Sequence, residues 1–271
     1  MSNKMRLSCL FLCLLLILSS ACSNAAQPAG APAATRELQR NPNVDMQPAL
    51  REFLANLPAD WNLVASQDVA KLSPFIVDVR QPDEYSQGFI AGAVNIPLRE
   101  LARNLTALSG MDKDIVVVCD TGHRGAIGMA VLQMLGYKKA KTLDGGMLAW
   151  QAAQQPVVTA PAPPRPAGQA PNVNLQVQAM LDYYLVHTLP LDWGIIEAAG
   201  LTADQKLQPS SSAEAQPETY DQGPSLLIDV DTAEEYRQSA IANFKRAINL
   251  PLRKLPDTLD NMPLQETIDW A

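Results

Sequence analysis

Residues 115–137 read IVVVCDTGHRGAIGMAVLQMLGY, and the order of features in this stretch decides the fold. Ile115–Val118 is a β-branched run, the composition of a strand buried on both faces. The run ends at Cys119, a turn occupies Cys119 to Arg124, and Gly125–Leu135 suits a helix. Ligands of parallel α/β sheets bind beyond the carboxyl ends of the strands. A helix N-terminus presents unpaired N–H groups and a partial positive charge at that place. Such a setting favours a thiolate and can lower a cysteine pKa from about 8.5 to about 4–7. Gly122 and Gly125 let the backbone turn its amides inward as an anion nest. Arg124 adds a planar donor fork for an anionic substrate. The loop therefore suits a nucleophilic sulfur facing an anion.

Outward from the loop, Phe75–Val79 is a second short β-branched run, and Asp83–Tyr85 opens a helix after Pro82. Leu98–Leu105 fits another helix. Strands alternating with helices predict a parallel α/β sheet with helices on both faces. Asp78 and Arg80 read as a buried structural pair supporting the loop. Met129, Met134 and Met147 read as core filler.

The chain also resembles itself. PALREFLANLPADWNLV (48–64), PFIVDVRQPDEY (74–85) and NIPLREL (95–101) are followed by QAMLDYYLVHTLPLDWGII (178–196), SLLIDVDTAEEY (225–236) and NLPLRKL (249–255). Trp61 aligns with Trp193 at an offset of 132, and Asp78 with Asp229 at 151, so 19 extra residues fall before Leu226. This is a duplicated domain joined by the Pro/Ala-rich stretch VVTAPAPPRPAGQAPN (157–172). The expected organisation is a catalytic domain over 45–155, a linker over 156–172 and a second copy over 173–271. Cys119 lies 41 residues after Asp78, and the same count from Asp229, with three extra residues before Asn249, reaches about position 273. The second copy is therefore expected to be incomplete and inactive, with Asp231 where Arg80 stands in the first.

At the N-terminus, Lys4 and Arg6 precede an apolar run from Leu7 to Leu18. At about 12 residues this is short of the ~20 a membrane span needs, and residues 1–21 read as a signal peptide. Ser19-Ser20-Ala21-Cys22 resembles the lipobox of bacterial lipoproteins, with Ser19 where leucine is usual; Cys22 would then be acylated, and residues 22–44 a disordered tether. The expected location is an outward-facing cell membrane. The alternative is plain cleavage after Ala25, giving a secreted or periplasmic protein. Loss of residues 1–21 removes Lys4 and Arg6 and no acid, moving the net charge from −7 to −9. So acidic a chain does not suit nucleic acid. Cys9 and Cys13 leave with the signal, which makes Cys119 the one cysteine of the mature domains. An exported protein normally pairs its cysteines, so a lone thiol is buried or needed. Two histidines and that cysteine do not make a zinc site, and no cofactor is expected.

Four ordered motifs over residues 74–151 resemble the rhodanese family. C-x-x-G-x-R matches Cys119, Gly122 and Arg124, and the opening motif matches Ile76-Val77-Asp78-Val79-Arg80 with Asp83-Glu84-Tyr85. Gly88-Phe89-Ile90-Ala91-Gly92-Ala93 resembles G-H-I-P-G-A, with Phe89 and Ala91 as departures, and Leu143-Asp144-Gly145-Gly146 with Trp150 resembles the closing G-G…W. The resemblance implies a sulfurtransferase in which Cys119 takes sulfur from a donor such as thiosulfate and passes it, as a persulfide, to cyanide or a thiol. Asp120, Thr121, Gly122, His123 and Gly125 would form the substrate-binding loop and Arg124 would hold the donor's oxyanion. Asp120 stands where many members carry a basic or neutral residue, and its charge opposes anionic donors; His123, when protonated, offsets it.

Plainer readings stand beside these. Cys119 could be a small buried hydrophobe, Arg124 a carbonyl cap, and His123 a loop surface residue. His187 is given no role. Phosphatases of the same fold carry C-x5-R, one residue longer than the C-x4-R here, which argues against that activity. A persulfide carrier or partner-binding module without turnover is the other alternative.

Overall fold

The computed structural model describes residues 46–108, 110–160, 172–191, 193, 227–230, 232–238 and 247–254. The expected signal peptide, Cys22, the tether, Asp231 and the stretch beyond Lys254 lie outside the described residues. Those described fall into two compact units, 46–193 and 227–254.

In the first unit, helix α1 (Gln47–Ala55) starts with Pro48 in its first turn and buries Leu50, Phe53 and Leu54. Strand β1 (Leu63–Val64), the short helix α2 (Val69–Leu72) and strand β2 (Phe75–Asp78) follow. Pro82 opens helix α3 (Pro82–Ser86), whose start is tied by a reciprocal capping box between Gln81 and Glu84. Strand β3 (Val94–Asn95) leads into two 3-10 turns, Leu98–Arg103 and Leu105–Ala107. The helix expected over Leu98–Leu105 is thus 3-10 rather than α. Pro97 caps its start and the Asn104 side chain takes the Glu100 carbonyl, so this short piece winds tightly around Leu98, Leu101 and Ala102, all buried. Strand β4 (Ile115–Val118), helix α4 (His123–Met134), strand β5 (Ala140–Leu143) and helix α5 (Gly146–Ala152) complete the sheet and its cover. Helix α4 begins two residues earlier than expected, because Gly122 takes the left-handed conformation (φ 94°) and caps it.

The five strands run in the order β1-β5-β4-β2-β3, all parallel. The expected α/β fold, a parallel sheet with helices on both faces, is the one observed. Ile115, Val116, Val117 and Val118 of the central strand are wholly buried. Alternation sends Val116 and Val118 into a cluster with Val64, Ile76, Phe89, Leu143, Met147 and Trp150. Val117 meets the other face, where Gly128 of α4 lets the helix approach Val117, Leu98 and Leu101. Met129 and Met147 are in the core as expected. After α5, Val158 forms an antiparallel bridge with Phe89, and the Trp150 indole donates to the Pro156 carbonyl.

The first unit continues through helix α6 (Leu175–Tyr183), which extends as a π-helical turn over Tyr184–Thr188. Asn174 caps α6 by accepting from the amides of Gln176 and Val177. This segment docks on the 3-10 turn: Arg103 forms a two-bond ion pair with Asp182, and Gln178 donates to the Ala102 carbonyl. Leu181 and Leu185 are fully buried beneath it.

In the second unit, β6 (Leu227–Asp229) and β7 (Ala247–Asn249) form a parallel pair, with helix α7 (Ala233–Gln238) between them.

Candidate active site

Cys119 stands at the carboxyl end of the central strand, and the elements around it aim backbone groups at the loop. Its Sγ accepts from the Gly122 amide at 3.1 Å, with the amides of Gly125 and Thr121 also directed at it. Gly122 is the turn that permits this, at φ 94°, a backbone conformation that residues with a Cβ rarely adopt. Gly125 is required for another reason: a Cβ there would collide with Thr142 Oγ1 and crowd the Val117 carbonyl. So the two loop glycines expected to turn amides inward do so, and Gly125 also seats α4 on the sheet.

The loop's own carbonyls are held from the other side. The first turn of α5 donates from Met147 N to Cys119 O (2.8 Å) and from Leu148 N to Asp120 O (3.0 Å). Gly145 and Gly146 both have positive φ, and a Cβ on Gly146 would strike the Cys119 and Asp120 carbonyls. That close approach is the physical content of the Gly-Gly pair ahead of Trp150. Thr121 Oγ1 and His123 Nδ1 lie 2.8 Å apart and tie the outer turn of the loop.

Arg124 is buried, and its fork is engaged: both terminal nitrogens donate to the Glu84 carboxylate at 2.6 Å. The Glu84 carboxyl is held below its ordinary value, first by the Arg124 hydrogen bond, against the opposing effect of burial. The face of the guanidinium is covered too. The Trp193 ring lies 5.3 Å from Arg124 Cζ and 5.0 Å from Arg99 Cζ, both within cation–π range. Neither Glu84 nor Trp193 was among the expected site residues. Glu84 lies within the D-E-Y motif yet 40 residues from Arg124, and Trp193 belongs to the stretch after the linker.

Beneath the loop the expected buried pair is present. Arg80 Nη2 donates to Asp78 Oδ2 (2.7 Å) and to the Gly88 carbonyl (2.7 Å), and Arg80 Nη1 reaches the Glu84 carbonyl (3.3 Å). Asp78 thereby fixes Arg80, and Arg80 fixes the segment that carries Glu84.

Burial pushes the Cys119 thiol up, against the loop amides and the Arg124 charge, which pull it down. This corrects the expectation of a lowered thiol. The amides are placed as foreseen, but Cys119 is only 1% exposed, and removal of water from a charged sulfur outweighs them. In this closed arrangement the sulfur is a protected thiol.

The family model of the rhodanese-like domain matches residues 61–153. A sulfurtransferase of Allochromatium vinosum is 32% identical over 83 residues, 31% of this chain and 77% of that protein. A thiosulfate sulfurtransferase of Escherichia coli is 31% identical over 70 residues, 26% of this chain and 67% of that protein. An HTH-type transcriptional regulator of Mycobacterium tuberculosis is 43% identical over 88 residues, 30% of this chain and only 36% of that protein.

Proposed function

The chain belongs to the rhodanese-like domain family, and from that premise we propose that it moves sulfane sulfur from a small anionic donor such as thiosulfate to a thiophilic acceptor through Cys119. The observation that carries this is the convergence of loop amides on Cys119 Sγ at the end of the central strand. The Cys119 thiolate attacks the outer sulfur of thiosulfate. A sulfur–sulfur bond forms to the protein, the donor's own sulfur–sulfur bond breaks, and sulfite leaves with the electron pair. The resulting persulfide anion sits among the amides, which stabilise negative charge there. Cyanide or a thiolate then takes the outer sulfur and returns Cys119 as thiolate. Arg124 supplies positive charge beside these steps.

The assay is thiosulfate:cyanide sulfur transfer by the full chain beside Cys119→Ala. Turnover should be present in the first and at background in the second. Activity surviving in Cys119→Ala would assign the chemistry elsewhere.

A second reading, a persulfide carrier that does not turn over small donors, draws on a specific observation. The Arg124 fork is already taken by Glu84. In that case Cys119 accepts sulfur from a protein or low-molecular-weight persulfide, and the thiosulfate assay reads near background with the wild type as well.

Two features of the wider chain belong to the same proposal. Residues 1–21 direct export, and Cys22 carries a lipid anchor; an unmodified Cys22 in a soluble cell fraction would return the protein to plain secretion. Residues 173–271 are a second copy of the fold of 45–155. What supports this is the parallel β6–β7 pair in the register of β2–β3 and the like turns that end at Trp61 and Trp193.

A further inference from the structure

The turn that ends at Trp193 brings an aromatic ring against Arg124, from which it is remote in sequence. Arg124 and Arg99 both lie against the Trp193 ring, whose π face is negative. With both terminal nitrogens donating to Glu84 and one face against the indole, Arg124 is already engaged on two sides, and an incoming anion must compete for it. Cys119 is 1% exposed, so something must move before a donor reaches its sulfur.

The turn is placed to be that mover. The preceding segment is firmly seated through the Arg103–Asp182 pair and the buried Leu181 and Leu185. Past it, Trp193 N donates to Pro190 O (3.0 Å), a local bond within the turn, and Trp193 itself has a left-handed backbone (φ 65°). Arg99 ties the turn down by donating to the carbonyls of Leu185, Leu189 and Pro190. The base of this arm is anchored by packing, and among the described residues Arg99 both holds the turn and stacks on the indole. Leu191, two residues before Trp193, is 90% exposed.

We propose that Trp193 is the specificity-determining gate of the Cys119 site: its indole competes with the donor's negative charge for Arg124, and the donor enters as the ring leaves. The inference rests on Cys119 being the working thiol. It also accounts for the raised thiol, since an open mouth readmits water and leaves the loop amides in control. The gate favours compact anions that can replace the indole at the guanidinium, and it disfavours neutral or bulky sulfur donors.

The test is alkylation of Cys119 by iodoacetamide, a small neutral reagent, followed by mass spectrometry on the full chain. Wild type should react slowly. Trp193→Ala should react at least about tenfold faster, the equivalent of ~1.4 kcal/mol in the opening equilibrium. Arg99→Gln keeps the indole but releases the turn, and should accelerate the reaction in the same direction. Thermal melts separate gate opening from general unfolding, because the acceleration is expected at unchanged melting temperature. Wild-type alkylation rates in both variants would overturn the gate, as would acceleration that tracks a falling melting temperature. Thiosulfate turnover distinguishes the two levels of the reading. Accelerated alkylation without turnover in any form sinks the thiosulfate donor and keeps the gate; normal turnover with unaltered alkylation sinks the gate alone.

Discussion

The strand pairs β2–β3 and β6–β7 are laid out alike. Val77 faces Val94 and Asp78 faces Asn95 in one; Ile228 faces Ile248 and Asp229 faces Asn249 in the other. Even the bond beyond the strands recurs, Leu98 N to Val79 O at 3.1 Å and Leu252 N to Val230 O at 3.0 Å. Among the described residues β2 also pairs with β4, which ends at Cys119, whereas β6 pairs with β7 alone. On the proposed reading, the Asp-Val…Asn-x-Pro-Leu-Arg crossover is shared scaffold, and the sulfur chemistry belongs to the strand, loop and helix of Cys119.

Several substitutions would break or sharpen that contrast. The largest effect on stability is expected from Asp78→Asn, which leaves Arg80 buried without its charge partner. A loss of about 3–5 kcal/mol in denaturant melts is the usual cost of breaking such a pair. A variant as stable as wild type would mean that the pair is not what supports the loop. Next comes Gly146→Ala, which must accommodate a Cβ against two loop carbonyls at positive φ. It should cost about 1–3 kcal/mol and most of the turnover, because the loop itself is displaced. Retained turnover would show that the α5 amides do not position the loop.

The smallest effect is expected from Glu84→Gln. Glu84 is about one-third exposed, so solvent screening limits the ion pair to within about 1 kcal/mol. Its folded carboxyl is depressed, chiefly by Arg124, so the pair's contribution is present above the ordinary carboxylate range. It is lost as pH falls through the depressed folded value. The stability gap between wild type and Glu84→Gln should therefore close in acid; a gap that widens there would contradict the assignment.

What the sequence disclosed and what it hid divide along physical lines. The β-branched run before Cys119, the loop glycines and the buried Asp78–Arg80 pair were legible, because each is set by neighbours close in the chain. The 3-10 form of Leu98–Arg103 was not, since apolar spacing is similar for both windings over six residues. The Glu84–Arg124 bond was hidden because its partners are 40 residues apart, one following β2 and the other β4, and meet only where those strands pair. Trp193 was legible as the counterpart of Trp61: their amides bond to Pro190 O and Pro58 O, and both have positive φ. Its seat over Arg124 was not, because docking of α6 on the 3-10 turn decides it. The raised thiol was missed for a related reason. Loop amides can be read from glycines and a helix start, but burial of the sulfur depends on everything packed around it.

The central claim is that Cys119 carries the sulfur. The most direct measurement is mass spectrometry of the full chain after brief incubation with thiosulfate and removal of excess donor. The account predicts a gain of about 32 Da, one covalently held sulfur, on the peptide that contains Cys119, lost on addition of cyanide. Turnover with an unmodified Cys119 peptide, or sulfur found on a different residue, would contradict it.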